Sequence, residues 1–294
     1  MHAVATLLVL AFSPAVLPAP RPVPQAAAES PSALEVAVAA FEAGEWQRVL
    51  EVAAATPADP TEAARLAYLA GETQLILGRS EDAALSFRAV LAQRPAAVPA
   101  KVGLARALTN VGALDEAEEL LTAVLAAEPE DVGGKTAMGL LLARRERFDE
   151  ARAQLAAASK LAPTNAICAR AYVEVLLRAE DDPAAAAVAE AFSKAAPEHP
   201  MGYFLLAVVM EREGDDEPAI EQYQRALAVD PNFLDAHKNL AILCHTLSNT
   251  YQDKQRTRMA YEHYERYFAL GGTDAQLRAT YESLLAYKDQ ILGS

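Results

Sequence analysis

The chain has 294 residues and is 52% apolar, enough for a sizeable core. Aromatics reach only 6% and alanine makes up much of the rest, which favours closely approaching helices over a bulky β-core. A formal net charge of −14, from 40 acids against 26 bases, repels phosphate backbones and argues against nucleic acid as a main partner. The two cysteines, Cys168 and Cys244, supply no disulfide framework.

The first 30 residues, MHAVATLLVLAFSPAVLPAPRPVPQAAAES, hold an apolar stretch from Ala3 to Phe12 and then turn proline-rich, with no acid before Glu29. Ala26-Ala27-Ala28 offers the small residues that a signal peptidase reads, so residues 1–28 are expected to be a signal peptide and the protein exported, periplasmic or secreted. No Lys or Arg precedes the apolar stretch. The alternative is therefore an uncleaved tail on a cytoplasmic or membrane-tethered protein. The stretch is interrupted by Pro14 and is too short for an ordinary spanning helix, so no stable span is expected after processing.

Beyond residue 29 the chain repeats. Pro95, Pro129, Pro163, Pro197 and Pro231 follow one another at intervals of 34 residues. Aligned on that interval, Ala83, Ala117, Ala151, Ala185 and Ala219 form one column. Gly71, Ala105, Gly139, Val173, Ala207 and Ala241 form a second, mostly small. Gly44, Gly78, Gly112 and Gly214 form a third, where Glu146 and Glu180 fill the two gaps. Small residues suit helix crossings, glycine suits a left-handed cap, and proline ends a helix. Each row therefore predicts helix, turn, helix, turn, and rows must stack because neither helix buries its apolar stripe alone.

Tyr203, Leu206, Ala207, Gly214, Ala219, Tyr223, Ala226 and Pro231 resemble the tetratricopeptide pattern. Met138, Gly139, Ala151, Ala158 and Pro163 fit it too, with a departure at Glu146. The resemblance implies an all-α fold, a right-handed α-solenoid of about seven stacked helix-turn-helix repeats with a C-terminal capping helix. Residues 29–63 form a degenerate first row, 64–274 the array, and 275–294 the closing helix, which starts at a cap on Thr273 or Asp274. In the row from Leu234 the inter-helix turn is expected to gain seven residues within HTLSNTYQDKQRTR.

The resemblance also implies that the first helix of each pair lines a concave groove that contacts extended peptide. Its stripe contains Arg106, Arg144, Arg170, Arg178, Met201, Phe204, Arg212 and Lys238. Arg144, Arg178 and Arg212 share one column, which suits the carboxylates of an acidic protein or peptide segment. Ile167, Met201 and Phe204 are expected to add apolar contact. The alternative role for that column is a favourable charge at each helix C-terminus. One tetratricopeptide variant clamps a C-terminal carboxylate with Lys and Asn across three rows, but here only Lys238-Asn239 matches.

No phosphate loop, His-Glu-x-x-His run or paired-Cys motif occurs, and no catalytic residue or cofactor is expected. Cys244 beside His245 reads as a packed thiol. The main reading is a noncatalytic scaffold in an exported or envelope-associated complex. A metal-binding or enzymatic role for the His237–His263 region is the second, and homo-oligomerisation the third.

Overall fold

A computed structural model of the protein describes residues 31–55, 59–251 and 253–286. The expected signal peptide and the last part of the closing helix lie outside them. The described residues form fifteen α-helices and no strand, so the protein is all-α. The helices are α1 (Ala33–Glu42), α2 (Trp46–Ala54), α3 (Pro60–Ile76), α4 (Ser80–Gln93), α5 (Val98–Val111), α6 (Leu114–Ala127) and α7 (Val132–Arg144), then α8 (Phe148–Leu161), α9 (Ala166–Arg178), α10 (Asp182–Ala195), α11 (Pro200–Glu213), α12 (Asp216–Val229), α13 (Leu234–Tyr251), α14 (Lys254–Ala269) and α15 (Ala275–Leu285). In chain order they make seven pairs followed by α15. The chain divides into two compact units, residues 1–147 and 148–294.

The recurring prolines act through the residue before them. Arg94, Glu128, Ala196 and Asp230 each precede a proline, and their φ values of −136°, −129°, −134° and −130° leave the helical region. A proline ring disfavours helical geometry in its predecessor, so α4, α6, α10 and α12 stop there. The next helix opens two residues on from the proline, where Asp131, Asn165 and His199 accept the first free N–H groups of α7, α9 and α11.

The turn inside each pair is equally regular. Gly44, Gly78, Gly112 and Gly214 have φ between 72° and 87°, and Glu146 and Glu180 take the same conformation at 61° and 58°. The bonds that close the turn are kept as well: Ala113 N–H to Leu108 O at 2.9 Å after a glycine, Arg147 N–H to Leu142 O at 2.9 Å after Glu146. The departure at Glu146 thus leaves the turn unchanged.

In the first unit each helix from α1 to α7 packs on the next, and α1, α3, α5 and α7 also pack successively on one another. Phe87 of α4 is fully buried in that unit. A Cβ added at Gly71 of α3 or Gly103 of α5 would lie 2.8 or 2.5 Å from its ring, so both helices approach Phe87 through glycine. The short first pair belongs to this stack: Phe41 and Trp46 meet edge-to-face at 5.4 Å, and Phe41 and Val49 share a cluster with Leu66 and Leu69 of α3.

In the second unit each helix from α8 to α15 packs on the next, and α9 packs on α11. One core runs from Ala169 to Tyr264, with Tyr223 and Tyr264 buried in it. The expectation of a longer turn in the seventh pair is corrected. Helix α13 has 18 residues and α14 has 16, against 14 in each helix of the preceding pair, and only residues 252 and 253 separate them. Backbone polar groups in added helical turns bond to one another, whereas a seven-residue loop would leave them to water. Helix α15 starts at Asp274, whose carboxylate accepts from the N–H groups of Gln276 and Leu277. Its Leu277, Tyr281 and Leu284 pack against the core.

Candidate functional site

The stripe predicted to bind a partner lies on α5 and α7 in the first unit and on α9, α11 and α13 in the second. In the first unit Arg106 of α5 donates from Nη1 to both carboxylate oxygens of Glu72 on α3, at 3.1 and 3.0 Å. Glu72 is only 8% exposed at its side chain, and the Tyr68 hydroxyl also bonds to it. Arg144 is exposed in the last turn of α7, with no ion pair among the described residues.

In the second unit Arg170 of α9 reaches Asp235 of α13 at 2.5 Å, and its guanidinium lies 6.0 Å from the ring centre of Phe204 on α11. That pair joins first helices two rows apart. Across a flat stack they would stand about 16–20 Å apart, given usual helix spacings of 8–10 Å. One arginine and one aspartate close the gap, so the N-terminal parts of α9 and α13 approach each other beside Phe204 of α11. Arg178 lies 5.8 Å from the ring centre of Phe148, Arg212 pairs with Asp182 at 2.7 Å, and Lys238 pairs with Asp274 at 3.2 Å.

Two of the predicted contacts are corrected. Met201 and Phe204 are 9% and 5% exposed, and Phe204 packs edge-to-face on Phe233 and tilted on Tyr223. Their apolar surface is used inside the core, whereas Ile167 stays 50% exposed. The arginine column does sit where expected, since Arg144, Arg178 and Arg212 all fall in the last turn of their helices. Its members nevertheless meet different neighbours.

Sequence reasoning missed a polar chain below this face. Tyr223 of α12 donates to Glu211 of α11 at 2.6 Å and accepts from Asn239 of α13 at 3.1 Å. Burial pushes the Glu211 carboxyl up, and the tyrosine bond only partly offsets that. For the ion pairs between rows the sequence did hold a signal. Opposite charges recur about one row apart, as in Glu72 with Arg106, Glu116 with Arg88, and Glu118 with Arg147.

Cys168 and Cys244 are buried free thiols, and burial pushes the Cys244 thiol up to about 12, which keeps it protonated at neutral pH. His245 lies edge-to-face on Tyr264 at 6.0 Å, away from His237. His237 instead meets His263. No group of three or more His, Cys, Asp or Glu among the described residues is arranged to hold a metal ion. No described helix is long and apolar enough to cross a membrane.

Consecutive helix pairs that stack within each unit define a helical-repeat protein of the interaction-scaffold class. Tetratricopeptide repeat family models match residues 74–141, 136–198 and 173–232, and the chain belongs to that family. No curated protein sequence matches it. Among solved structures, a tetratricopeptide repeat protein from Parabacteroides merdae is similar at 14% identity and a TM-score of 0.57, covering 86% of this chain and 97% of that one. A thermophilic tetratricopeptide repeat protein of Thermus thermophilus is similar at 24% identity and a TM-score of 0.54, covering 62% of this chain and 98% of that one. At these identities the likeness concerns the fold.

Proposed function

We propose that the protein is a noncatalytic scaffold that holds an extended acidic peptide or protein segment in the groove formed by its first helices. The observation that carries this reading is the Arg170–Asp235 pair, which supports α9, α11 and α13 as walls of one concave face. Ile167 stands half exposed on that face, and Arg178 and Arg212 end two of its helices. A carboxylate on a partner competes with Asp235 and Asp182 for guanidinium groups already aimed into the groove, so little ordering entropy is lost on capture. The apolar, proline-punctuated segment 1–28 supports a place in an exported or envelope-associated complex.

The test is a triple charge reversal, Arg144→Glu, Arg178→Glu and Arg212→Glu, compared with the single reversal Arg88→Glu on a second helix. Affinity purification from the native cell after cross-linking is expected to lose the partner with the triple variant and keep it with Arg88→Glu, at unchanged helical circular dichroism. Undiminished capture by the triple variant rejects the groove arginines as binding elements. Sequencing the mature N-terminus tests export.

A further inference from the structure

His237 and His263 take no part in the proposed groove, yet they are closely joined. His237, on α13 and 6% exposed, has its Nε2 3.0 Å from the carbonyl oxygen of Pro231 and its Nδ1 2.9 Å from Nδ1 of His263 on α14. A carbonyl only accepts, so Nε2 of His237 carries the proton. In the neutral ring Nδ1 is then bare, and it accepts from the Nδ1–H of His263. The last proline of the 34-residue series thereby fixes the tautomers of both rings.

This arrangement tolerates one added proton and not two. A proton on Nε2 of His263 leaves the Nδ1–H···Nδ1 bond intact. A second proton has only Nδ1 of His237 to occupy, where two N–H groups would face each other between two cations. The charged neighbours come from the end of α12 and from α14. Asp230, at the end of α12, favours the charged form of His237, and Glu262 of α14 favours that of His263. Arg266 of α14 opposes the charge on His237 and is itself held to the α12–α13 turn, through Nη2 to Asn232 Oδ1 at 2.5 Å. Burial is the largest influence on both rings. It lowers His237, and together with the adjacent His237 it lowers His263 to about 4.

We propose that this pair is an acid-sensitive latch, which at neutral pH fastens α14 to α13 and to the α12–α13 turn and on double protonation releases α14. Both folded-state pKa values lie below the ordinary histidine value of about 6.5, so the opened state takes up protons first as the pH falls. The latch is intact above about pH 6.5 and weakens as the pH drops towards the His263 value. Its opening equilibrium rises by up to about tenfold per pH unit for each histidine.

Hydrogen exchange on the full chain at pH 7.5 and 4.5, corrected for intrinsic rates, tests this in wild type and His263→Asn. The asparagine amide keeps a donor near the Nδ1 position and does not titrate. Wild-type amides of α14 should lose about tenfold or more of their protection at pH 4.5 relative to α5 and α6, with a far smaller loss in the variant. An undiminished wild-type α14, or an equal loss in the variant, overturns the latch. If the variant lacks a protected α14 at pH 7.5, histidine nitrogen NMR on wild type decides. Midpoints below 6.5 for both rings, with His237 protonated at Nε2, support the latch, and a midpoint near 6.5 for either ring overturns it.

Discussion

Phe87 shows how much of a repeat protein is settled by single side chains. Its ring is fully buried, and α3 and α5 meet it where each has no Cβ, at Gly71 and Gly103. Gly103→Ala places a methyl group 2.5 Å from a ring that has no room to retreat. Despite a gain of about 1 kcal/mol in helix propensity, the substitution is expected to destabilise the protein by about 1–3 kcal/mol. Denaturant titration should show a lower midpoint at unchanged slope, partly restored by Phe87→Leu in the same chain. Gly71 was legible in the sequence because it belongs to the small column of the repeat. Gly103 was not, since it answers one aromatic ring in one row and has no glycine counterpart at the 34-residue interval. The same division runs through the charges. Glu72 and Arg106 share an offset and differ by one row, so their pairing is written into the period. Arg170 and Asp235 have different offsets two rows apart, and only the three-dimensional packing brings them together.

At the scale of the helix pair, the recurring signals name geometry, and other residues can adopt that geometry at a cost. Glu146 and Glu180 keep the left-handed turn that glycine makes elsewhere, because the same backbone bonds hold it. A side chain there costs about 1–2 kcal/mol, and glycine returns some of that gain through a freer unfolded chain. Glu146→Gly and Glu180→Gly are each expected to raise stability by about 0.5–1 kcal/mol in chemical denaturation, with helical content unchanged. A loss of stability would show that these turns are held by contacts of the glutamate side chains. The seventh pair marks the limit of column reading. An insertion length is visible in a sequence, but its division between helix and loop depends on α13 and α14 finding enough shared surface to grow. Tyr261 and Tyr264 of α14 supply part of it, both buried.

For the whole molecule, class and site had different legibility. The helix pairs followed from proline, glycine and alanine spacing, because those residues act locally and recur with the row, and the closing helix from its cap and the helical spacing of its apolar residues. The proposed groove was legible only as an address. The stripe lies on the first helices as expected, but which cations remain available depends on acids brought in from other helices, such as Asp182 beside Arg212 and Asp274 beside Lys238. Phe204 and Met201 were drawn into the core for the same reason: an apolar side chain at the edge of a face packs inward where neighbours leave space.

The central claim is that the first-helix face captures a protein partner and the second-helix face does not. Site-specific photo-cross-linking tests it directly, with the probe at Ile167 on α9 or at Leu85 on α4, apolar positions that are 50% and 65% exposed. Discrete cross-linked partners are expected from Ile167, competed away by a soluble acidic peptide, and none from Leu85. Equal cross-linking from both positions, or partners from Leu85 alone, would contradict it.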